Sequence, residues 1–318
     1  MMRRFFLIAL SLLLLTGCAA PAPAGGTGQE SAGASTVTFF GDDLGRELAV
    51  EHPQRVAALI GSFADVWCLA GGGDTLVAAA NDAWTSFDLD LEGVANLGAV
   101  KEPNLEVLLA AEPDLILASC NTAANLELLE TFEAAGIPVA YFDIQDFDDY
   151  LRMLAVCTAL TGHSDNYHQY GIRVRGQVEE AIARQDGTAP TVLCLRATGS
   201  SCKVKGSVDN VLGEMLADLG CVNIADSDGA LLENLSLESI IQADPDYIFA
   251  VLQGADSTAA QATLETALLS NPAWGQLRAV QEGRFYTLDH RLYNLKPNAR
   301  WGEAYEKLAD ILYGEKTT

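Results

Sequence analysis

Residues 104–117 read NLEVLLAAEPDLIL, and residues 236–249 read SLESIIQADPDYIF. Six of the fourteen positions are identical in the two stretches. In each, a capping residue, Asn104 or Ser236, precedes apolar residues at helical spacing, and a proline then prevents the helix from continuing. A short apolar run typical of a buried strand follows. The pattern predicts a unit of helix, turn and parallel strand that occurs twice in the chain.

The sequence around both copies alternates between strand patterns and helix patterns. Such alternation is typical of parallel sheets with helices packed on their faces. We therefore expect an α/β fold with two Rossmann-like lobes, each built around a parallel sheet. Besides the strands of the repeats themselves, strands are predicted at 55–60, 76–80, 136–142, 191–195, 222–224 and 284–287.

The segment between the two lobes is helical in pattern. One helix is predicted over 147–161, where Gly162 provides a natural C-terminal cap, and Ser164 is suited to begin the next helix. A helix over 164–185 spans about 30 Å at 1.5 Å per residue, which is long enough to bridge two lobes. The predicted organisation is an N-terminal lobe at 36–163, a single long backbone helix at 164–185, and a C-terminal lobe at 186–318.

The first residues have the pattern of an export signal. Arg3 and Arg4 precede an apolar run from Phe5 to Leu15. A membrane-spanning helix, the alternative, requires roughly 18 apolar residues, which is more than this run offers. A signal peptide is therefore predicted at 1–17. Residues 19–35 are rich in Ala, Pro, Gly, Ser and Thr, which predicts a flexible spacer.

Leu15-Thr16-Gly17-Cys18 resembles the lipobox of bacterial lipoproteins. The resemblance implies cleavage before Cys18, diacylglycerol on its thiol, and a chain anchored by lipid alone to the extracytoplasmic face of a cell membrane. Both a single-membrane envelope and a periplasm are compatible with such an anchor.

The composition excludes some functions. The chain has 43 acidic and 19 basic residues and a formal net charge of −24, which disfavours binding to nucleic acid. The acidity either attracts a cation or basic partner or, more simply, keeps the surface solvated. No Cys-x-x-Cys pair is present, which disfavours structural zinc. Whether Cys194 and Cys202 form a disulfide is left open by the sequence.

Several further segments resemble one family. Residues 40–47 with 53–56, the repeat at 104–117, residues 271–286 and the closing segment 297–313 resemble the helical-backbone substrate-binding proteins of ABC importers. That class carries ferric siderophores, haem and cobalamin. The resemblance covers the chain from about residue 38 to its end.

The resemblance implies a ligand cleft between two lobes that close only slightly. It implies a monomer without a resident cofactor, whose transported ligand is an iron-siderophore complex, haem or cobalamin. The expected partners are an ABC permease and its ATPase. The family docks to its permease through one acidic residue on the outer face of each lobe. Helix positions nominate Glu127 or Glu130 in the first lobe and Glu265 in the second, with solvated helix surface as the alternative.

Ligands of open parallel sheets bind beyond the carboxyl ends of the strands. Trp84 offers a face for stacking, with a surface tryptophan as the alternative. Arg196 is suited to clamp an anion, with a salt bridge inside the lobe as the alternative. Lys101 matches a family position near the cleft, and His290 and Tyr293 are candidates whose alternative is an ordinary loop role. The strand-end rule predicts ligand contacts at Ser62, Trp84, Ser119, Asn121, Arg196 and Gln253.

The sequence leaves two other functions as alternatives. A direct zinc or manganese receptor needs three or four converging ligands, whereas the four histidines, at 52, 163, 168 and 290, are widely spread. An exported hydrolase is the second alternative. The chain has no Gly-x-Ser-x-Gly, His-Glu-x-x-His or Gly-x-x-x-x-Gly-Lys pattern, and no histidine is placed by sequence to activate Cys120. The sequence therefore predicts a binding protein with no catalytic residues and no metal site.

Overall fold

The structure is a computed structural model that describes residues 37–254 and 257–314. The predicted signal peptide, Cys18 and the spacer up to residue 35 lie outside the described residues. Within the described ranges, no helix combines the length and the apolar character needed to cross a membrane.

The strands are short and follow one another in the predicted order. They are β1 Val37–Gly41, β2 Glu47–Glu51, β3 Val56–Ala58, β4 Leu76–Ala79, β5 Ala95–Asn96, β6 Leu115–Ser119, β7 Val139–Phe142, β8 Thr191–Ala197, β9 Cys202–Lys205, β10 Val222–Asn223, β11 Tyr247–Leu252 and β12 Phe285–Leu288.

Helices separate most of the strands. They are α1 Gly61–Leu69, α2 Asp82–Ser86, α3 Leu105–Ala110, α4 Ala123–Glu127, α5 Leu129–Ala134, α6 Phe147–Thr161, α7 Ser164–Tyr167, α8 Arg173–Ile182, α9 Val211–Asp218, α10 Gly229–Glu233, α11 Leu237–Ala243, α12 Ser257–Leu264, α13 Arg278–Gln281, α14 His290–Tyr293 and α15 Trp301–Tyr313. Wider π-helical turns occupy His168–Ile172 and Glu265–Leu269, and 3₁₀ turns occupy Gly73–Thr75, Ile224–Ser227, Trp274–Gln276 and Asn298–Arg300.

The first lobe is built on a parallel sheet in the order β5-β4-β3-β6-β7. The residues of β3, β6 and β7 are buried, which explains why these strands are continuous apolar runs rather than alternating ones. A separate antiparallel hairpin, β1 with β2, precedes the sheet. The α/β class and the parallel core of this lobe confirm the prediction.

The second lobe is built on the parallel order β10-β8-β11-β12. Strand β9 was not predicted; it pairs antiparallel with β8 and places Lys203 opposite Arg196. The prediction that Arg196 follows a strand is therefore wrong, because β8 continues to Ala197 and Arg196 lies inside it. Cys194 and Cys202 are both free thiols. They also lie opposite different residues, Lys205 and Ala197.

The two copies of the repeat fold alike. Asn104 accepts a hydrogen bond from Val107 N, and Ser236 accepts one from Ser239 N, which confirms both as helix caps. Each helix then ends in a left-handed acidic residue directly before proline, Glu112 with φ 46° and Asp244 with φ 41°.

The aspartate that follows each proline organises the neighbouring strand. Asp114 accepts hydrogen bonds from Gln54 N and Arg55 N, just before β3. Asp246 accepts from the main-chain N and the hydroxyl of Thr191, the first residue of β8. The repeat therefore conserves a hydrogen-bonding role between the two lobes as well as a pattern of apolar residues.

The lobes are joined by helices close to the predicted positions. Helix α6 spans Phe147–Thr161 as predicted and ends at Gly162, whose φ of 75° suits glycine. The backbone helix begins at Ser164 and runs through α7, the π-helical turn and α8 to Ile182. A wider π turn inside this helix was not predicted, because its residues have an ordinary helical pattern.

The last segment of the chain returns to both the backbone helix and the first lobe. Arg184 forms an ion pair of 2.7 Å with Asp310 of α15. The ring centroids of Trp301 in α15 and Phe147 in α6 lie 5.9 Å apart. One hydrophobic core includes these rings together with residues of both sheets. Because the lobes share this core, the architecture favours small rather than wide closure.

Candidate functional site

A cleft with a volume of about 400 Å³ lies between the two lobes. Most of the side chains on its wall are polar. The first lobe contributes Ile60, Ser62, Phe63, Ser119, Asn121, Thr122, Ile144 and Gln145. The second lobe and the following segment contribute Arg196, Asp209, Asn210, Val211, Asn294 and Lys296.

Helix α1 begins at the wall of the cleft. Gly61 is required there, because a Cβ on it would lie 2.5 Å from the main-chain nitrogen of Ala83. The N–H of Gly61 donates to Asp82 Oδ1 at 2.9 Å. Burial raises the pKa of the Asp82 carboxyl, and the hydrogen bond from Gly61 partly offsets that effect. This contact fixes the start of α1 against α2.

Ser62, the next residue, is only 7% exposed. Within the part of the chain that the structure describes, neither its hydroxyl nor its main-chain N–H has a hydrogen-bond partner. The Ser62 hydroxyl is not sealed in the core, because it reaches the open cleft, where a ligand can accept from it. Ser62 is therefore poised to donate into the cleft.

The loop after β6 presents amides to the cleft. Ser119 N donates to Asn125 Oδ1, and Ser119 Oγ accepts from Asn121 N at 3.1 Å. The side-chain amide of Asn121 donates to Asp143 Oδ1 at 2.6 Å, and that of Gln145 donates to the same oxygen at 2.9 Å. Asp143 therefore holds two wall residues and leaves their amide oxygens to accept from a ligand.

The second lobe contributes one cation, Arg196, and one carboxylate, Asp209, to the described wall of the cleft. Arg196 has no ion pair among the described residues, and burial lowers the pKa of its guanidinium. Lys203 lies opposite it on β9. The pKa of Lys205 is lowered by burial and then by the charges of Arg196 and Lys203. Lys203 and Lys205 do not line the described wall of the cleft, and the charge of Asp209 partly offsets the lowering of the Lys205 pKa.

A further cation comes from the segment between α14 and α15. Lys296 lines the cleft. Burial lowers the pKa of its ammonium group, and the carboxylates of Asp143, Asp149 and Asp146 partly offset that effect. In the described ranges none of these acids approaches it closely enough to form an ion pair. Lys296 therefore adds an unpaired positive charge to the cleft.

The structure brings together four of the predicted ligand residues. Ser62, Ser119, Asn121 and Arg196 all lie on the wall of the cleft. Lys101 lies in an adjoining depression of about 490 Å³ that shares Asn121 and Thr122 with the cleft.

The remaining predicted ligand residues lie away from the wall. Trp84 is 38% exposed on α2, and Gln253 uses its main-chain N–H to bond Ala197. His290 is partly exposed at the start of α14. Tyr293 is only 2% exposed and donates its hydroxyl to Ala304 O, so its side chain belongs to the core rather than to a ligand site.

Several wall residues that the sequence did not predict lie at helix boundaries, and one of them, Gln145, also lies in the loop after β7, where the strand-end rule could have found it. Gln145 precedes α6, Asn210 precedes α9, and Asn294 and Lys296 follow α14. A helix-boundary asparagine is a weak sequence signal for ligand contact, because capping explains it equally well.

The three acidic residues predicted to dock to a permease are exposed. Glu127 and Glu130 lie on α4 and α5, and Glu265 accepts a hydrogen bond from Gln261. Their role remains a prediction.

The described residues contain no group of three or more His, Cys, Asp or Glu side chains arranged to hold a metal ion. Burial raises the pKa of the Cys120 thiol to about 11, with further contributions from Asp43 and Asp143. A thiol of this kind is a poor nucleophile near neutral pH.

Comparison with known proteins agrees with this architecture. A family model described as periplasmic binding protein matches residues 56–292. The Fe(3+)-citrate-binding protein YfmC of Bacillus subtilis (strain 168) is 25% identical over 293 residues, covering 89% of this chain and 87% of its own. The vitamin B12-binding protein of Pectobacterium carotovorum subsp. carotovorum (strain PC1) is 25% identical over 201 residues, covering 62% and 70%.

A solved structure shows the same fold. The iron uptake ABC transporter substrate-binding protein PiuA from Streptococcus pneumoniae Canada MDR_19A superposes with a TM-score of 0.69 at 18% identity, covering 89% of this chain and 99% of its own. Because the family model spans most of the two lobes that form the cleft, the chain belongs to the periplasmic binding protein family.

Proposed function

We propose that the chain is the extracytoplasmic substrate-binding protein of an ABC importer and that it captures an iron chelate. The observation that carries the proposal is the cleft, whose polar wall comes from both lobes and includes two cations, Arg196 and Lys296. The relatives named for binding Fe(3+)-citrate and for iron uptake support it. In this role the chain holds its ligand reversibly and transfers it to a permease without chemical change.

An iron chelate fits the wall better than haem does. Haem iron in proteins is held by His, Cys, Met or Tyr. None of these residue types is present on the described wall of the cleft. A siderophore or citrate complex supplies its own oxygen ligands to iron, so the protein needs only to recognise the outside of the complex. Asparagine amides, serine hydroxyls and cations do this by hydrogen bonding and charge.

Cobalamin fits less well for a different reason. Its corrin ring is broad, and aromatic side chains contribute strongly to burying such a surface. Among the described residues of the wall, Phe63 alone is aromatic, and it is almost completely buried in the core.

The cellular setting follows from the first residues. Cys18 is proposed to carry the lipid that anchors the chain to the membrane, with no spanning segment. The chain is proposed to act as a monomer that docks through Glu127 or Glu130 and through Glu265. Exchange of each glutamate for lysine is expected to reduce uptake while leaving ligand binding unchanged. Undiminished uptake in all three variants would show that none of these glutamates is needed for docking to the permease.

The proposal is tested by thermal denaturation of the chain with a panel of ligands. Ferric citrate, ferric hydroxamate and catecholate siderophores, haem, cobalamin, Zn²⁺ and Mn²⁺ are added separately. A raised melting temperature with at least one ferric chelate is expected, because a ligand that binds only the folded state stabilises it. Stabilisation by Zn²⁺ or Mn²⁺ alone would show a direct metal receptor. Consumption of a ligand would show an enzyme.

A further inference from the structure

The start of helix α1 has the features of an anion-binding position. This helix of nine residues begins at the cleft, and the N–H groups at a helix start attract negative charge. The N–H of Gly61 donates to the carboxylate of Asp82, and the N–H of Phe63 donates to Ile60 O. The N–H of Ser62 remains without an acceptor among the residues the structure describes.

A second observation is independent of the helix. The Ser62 side chain lies on the wall of the same cleft, more than nine-tenths buried, and its hydroxyl is unpaired within the described ranges. This hydroxyl opens on the cleft and is not sealed from water, so it is free to donate to an incoming ligand. The N–H and O–H of one residue thus offer two donors at the same place.

Lys296 is tied to this position by Asn298. The side-chain Nδ2 of Asn298 donates to the main-chain oxygen of Ser62 at 2.9 Å and to Asp65 Oδ2 at 2.7 Å. Lys296 is only two residues earlier and lines the cleft. The bonds of Asn298 therefore anchor the segment that carries Lys296 to the first turn of α1.

The second lobe adds Arg196 to the wall of the cleft, and Lys203 lies opposite it on β9 but outside the described wall. The single carboxylate on the described wall is Asp209. The described wall thus has two cations, Lys296 from the segment after α14 and Arg196 from β8.

We propose that the ligand carries at least two anionic oxygen groups, one bound by Ser62 and Lys296 at the start of α1 and another bound by Arg196. This inference rests on the proposed function and narrows its ligand to the polycarboxylate class of ferric chelates. The Ser62 N–H and O–H donate to one carboxylate, and Lys296 supplies the opposite charge. Arg196 engages a second carboxylate from the other lobe, so that a neutral chelate leaves these cations unpaired.

The test compares two probes by isothermal titration calorimetry: ferric citrate, which is polyanionic, and a neutral ferric trihydroxamate. Tighter binding of ferric citrate is expected. Ser62→Ala and Lys296→Gln are each expected to weaken that binding by about tenfold or more, because each removes a charge-assisted hydrogen bond. Lys296→Arg keeps the charge and is expected to retain most of the affinity.

Lys307→Gln is the matched control. Lys307 lies on α15, pairs with Glu303 and is exposed, so the same loss of charge occurs outside the cleft. Its affinity for ferric citrate is expected to equal that of the unsubstituted chain. Thermal melting without ligand checks the fold of each variant. If Lys296→Gln melts early, Lys296→Met replaces it, because its side chain has a length close to that of lysine and no charge.

Two results would overturn the inference while leaving the proposed function intact. One is binding of the neutral trihydroxamate as tight as that of ferric citrate. The other is unchanged affinity for ferric citrate in both Ser62→Ala and Lys296→Gln. Failure of every ferric chelate to bind would instead overturn the proposed function together with the inference.

Discussion

The side-chain Nδ2 of Asn298 lies 2.9 Å from the main-chain oxygen of Ser62, a residue 236 positions earlier in the chain. Asn298 is completely buried and has a φ of 52°. Its second hydrogen bond, to Asp65, reaches the same helix. A single asparagine thus fixes the segment before α15 to the wall of the cleft.

Replacing Asn298 with alanine is expected to lower the free energy of unfolding by about 2–4 kcal/mol. The loss combines two hydrogen bonds with the greater cost of a left-handed backbone for alanine than for asparagine. Urea denaturation measures the change. Asn298→Gly removes the same hydrogen bonds, but glycine adopts a positive φ without steric cost. This variant should therefore be more stable than Asn298→Ala by about 1 kcal/mol. An alanine variant as stable as the natural chain would contradict the proposed anchoring role.

Asp65 is expected to make the folded chain less stable as pH rises. Burial raises the pKa of its carboxyl from 3.8 to about 6; the hydrogen bond from Asn298 partly offsets this effect, and the charge of Asp88 adds to it. The folded state therefore binds the proton more tightly than the unfolded state. Stability is greatest below about pH 4 and declines as pH rises towards 6.

Asp65→Asn removes that dependence while keeping an oxygen to accept from Asn298. The free energy of unfolding of the variant, relative to that of the natural chain, is expected to rise by about 2–3 kcal/mol as the pH is raised from about 4 to about 7.5. Urea denaturation at both pH values measures it. An equal difference between the two proteins at both values would show that Asp65 titrates normally.

Gly61→Ala is expected to reduce stability by about 1–3 kcal/mol, because the added Cβ meets the backbone of α2. That Cβ would lie 2.5 Å from Ala83 N and 2.7 Å from the carbonyl carbon of Asp82. Gly176→Ala in α8 is the matched control, since a Cβ there meets nothing within 4 Å. It should raise stability by about 0.5–1 kcal/mol through helix propensity. Equal effects at the two positions would contradict the close packing of α1 on α2.

Asp246→Ala is expected to cost about 1–3 kcal/mol at neutral pH, because Thr191 loses its partner at the start of β8. Burial raises the pKa of Asp246, but the bonds from Thr191 and the charge of Arg278 outweigh it, so the net shift is downward. Its stabilising effect is therefore present at neutral pH and is lost as acid protonates the carboxylate. The difference from the natural chain should shrink below about pH 4, whereas a pH-independent difference would exclude a role for the charge.

The sequence predicted the elements whose signals are local. Asn104, Ser236 and Gly162 cap or end helices through contacts within a few residues, so their roles are visible without the fold. The strand-end rule also placed Ser119 and Asn121 in the loop that reaches the cleft. These predictions needed only the order and type of the elements.

The wall residues that were missed depend on distant contacts. Lys296 reaches the cleft because Asn298 bonds α1, and no pattern near residue 296 reveals that. Strand β9 was missed because its alternating sequence, Cys-Lys-Val-Lys, is only four residues long, and its strand conformation depends on pairing with β8. Tyr293 is a ligand candidate by sequence with an ordinary loop role as its alternative, whereas its side chain is buried in the core and donates to Ala304 O.

The most direct test of the central claim is calorimetric titration of the chain with ferric citrate, comparing the natural protein with Arg196→Gln. Saturable binding at one site is expected, weakened by about tenfold or more in the variant because an unpaired cation on the cleft wall is removed. Equal affinity of the two proteins, or no binding of ferric citrate together with stabilisation by free Zn²⁺ or Mn²⁺, would contradict a cleft that recognises an anionic iron chelate.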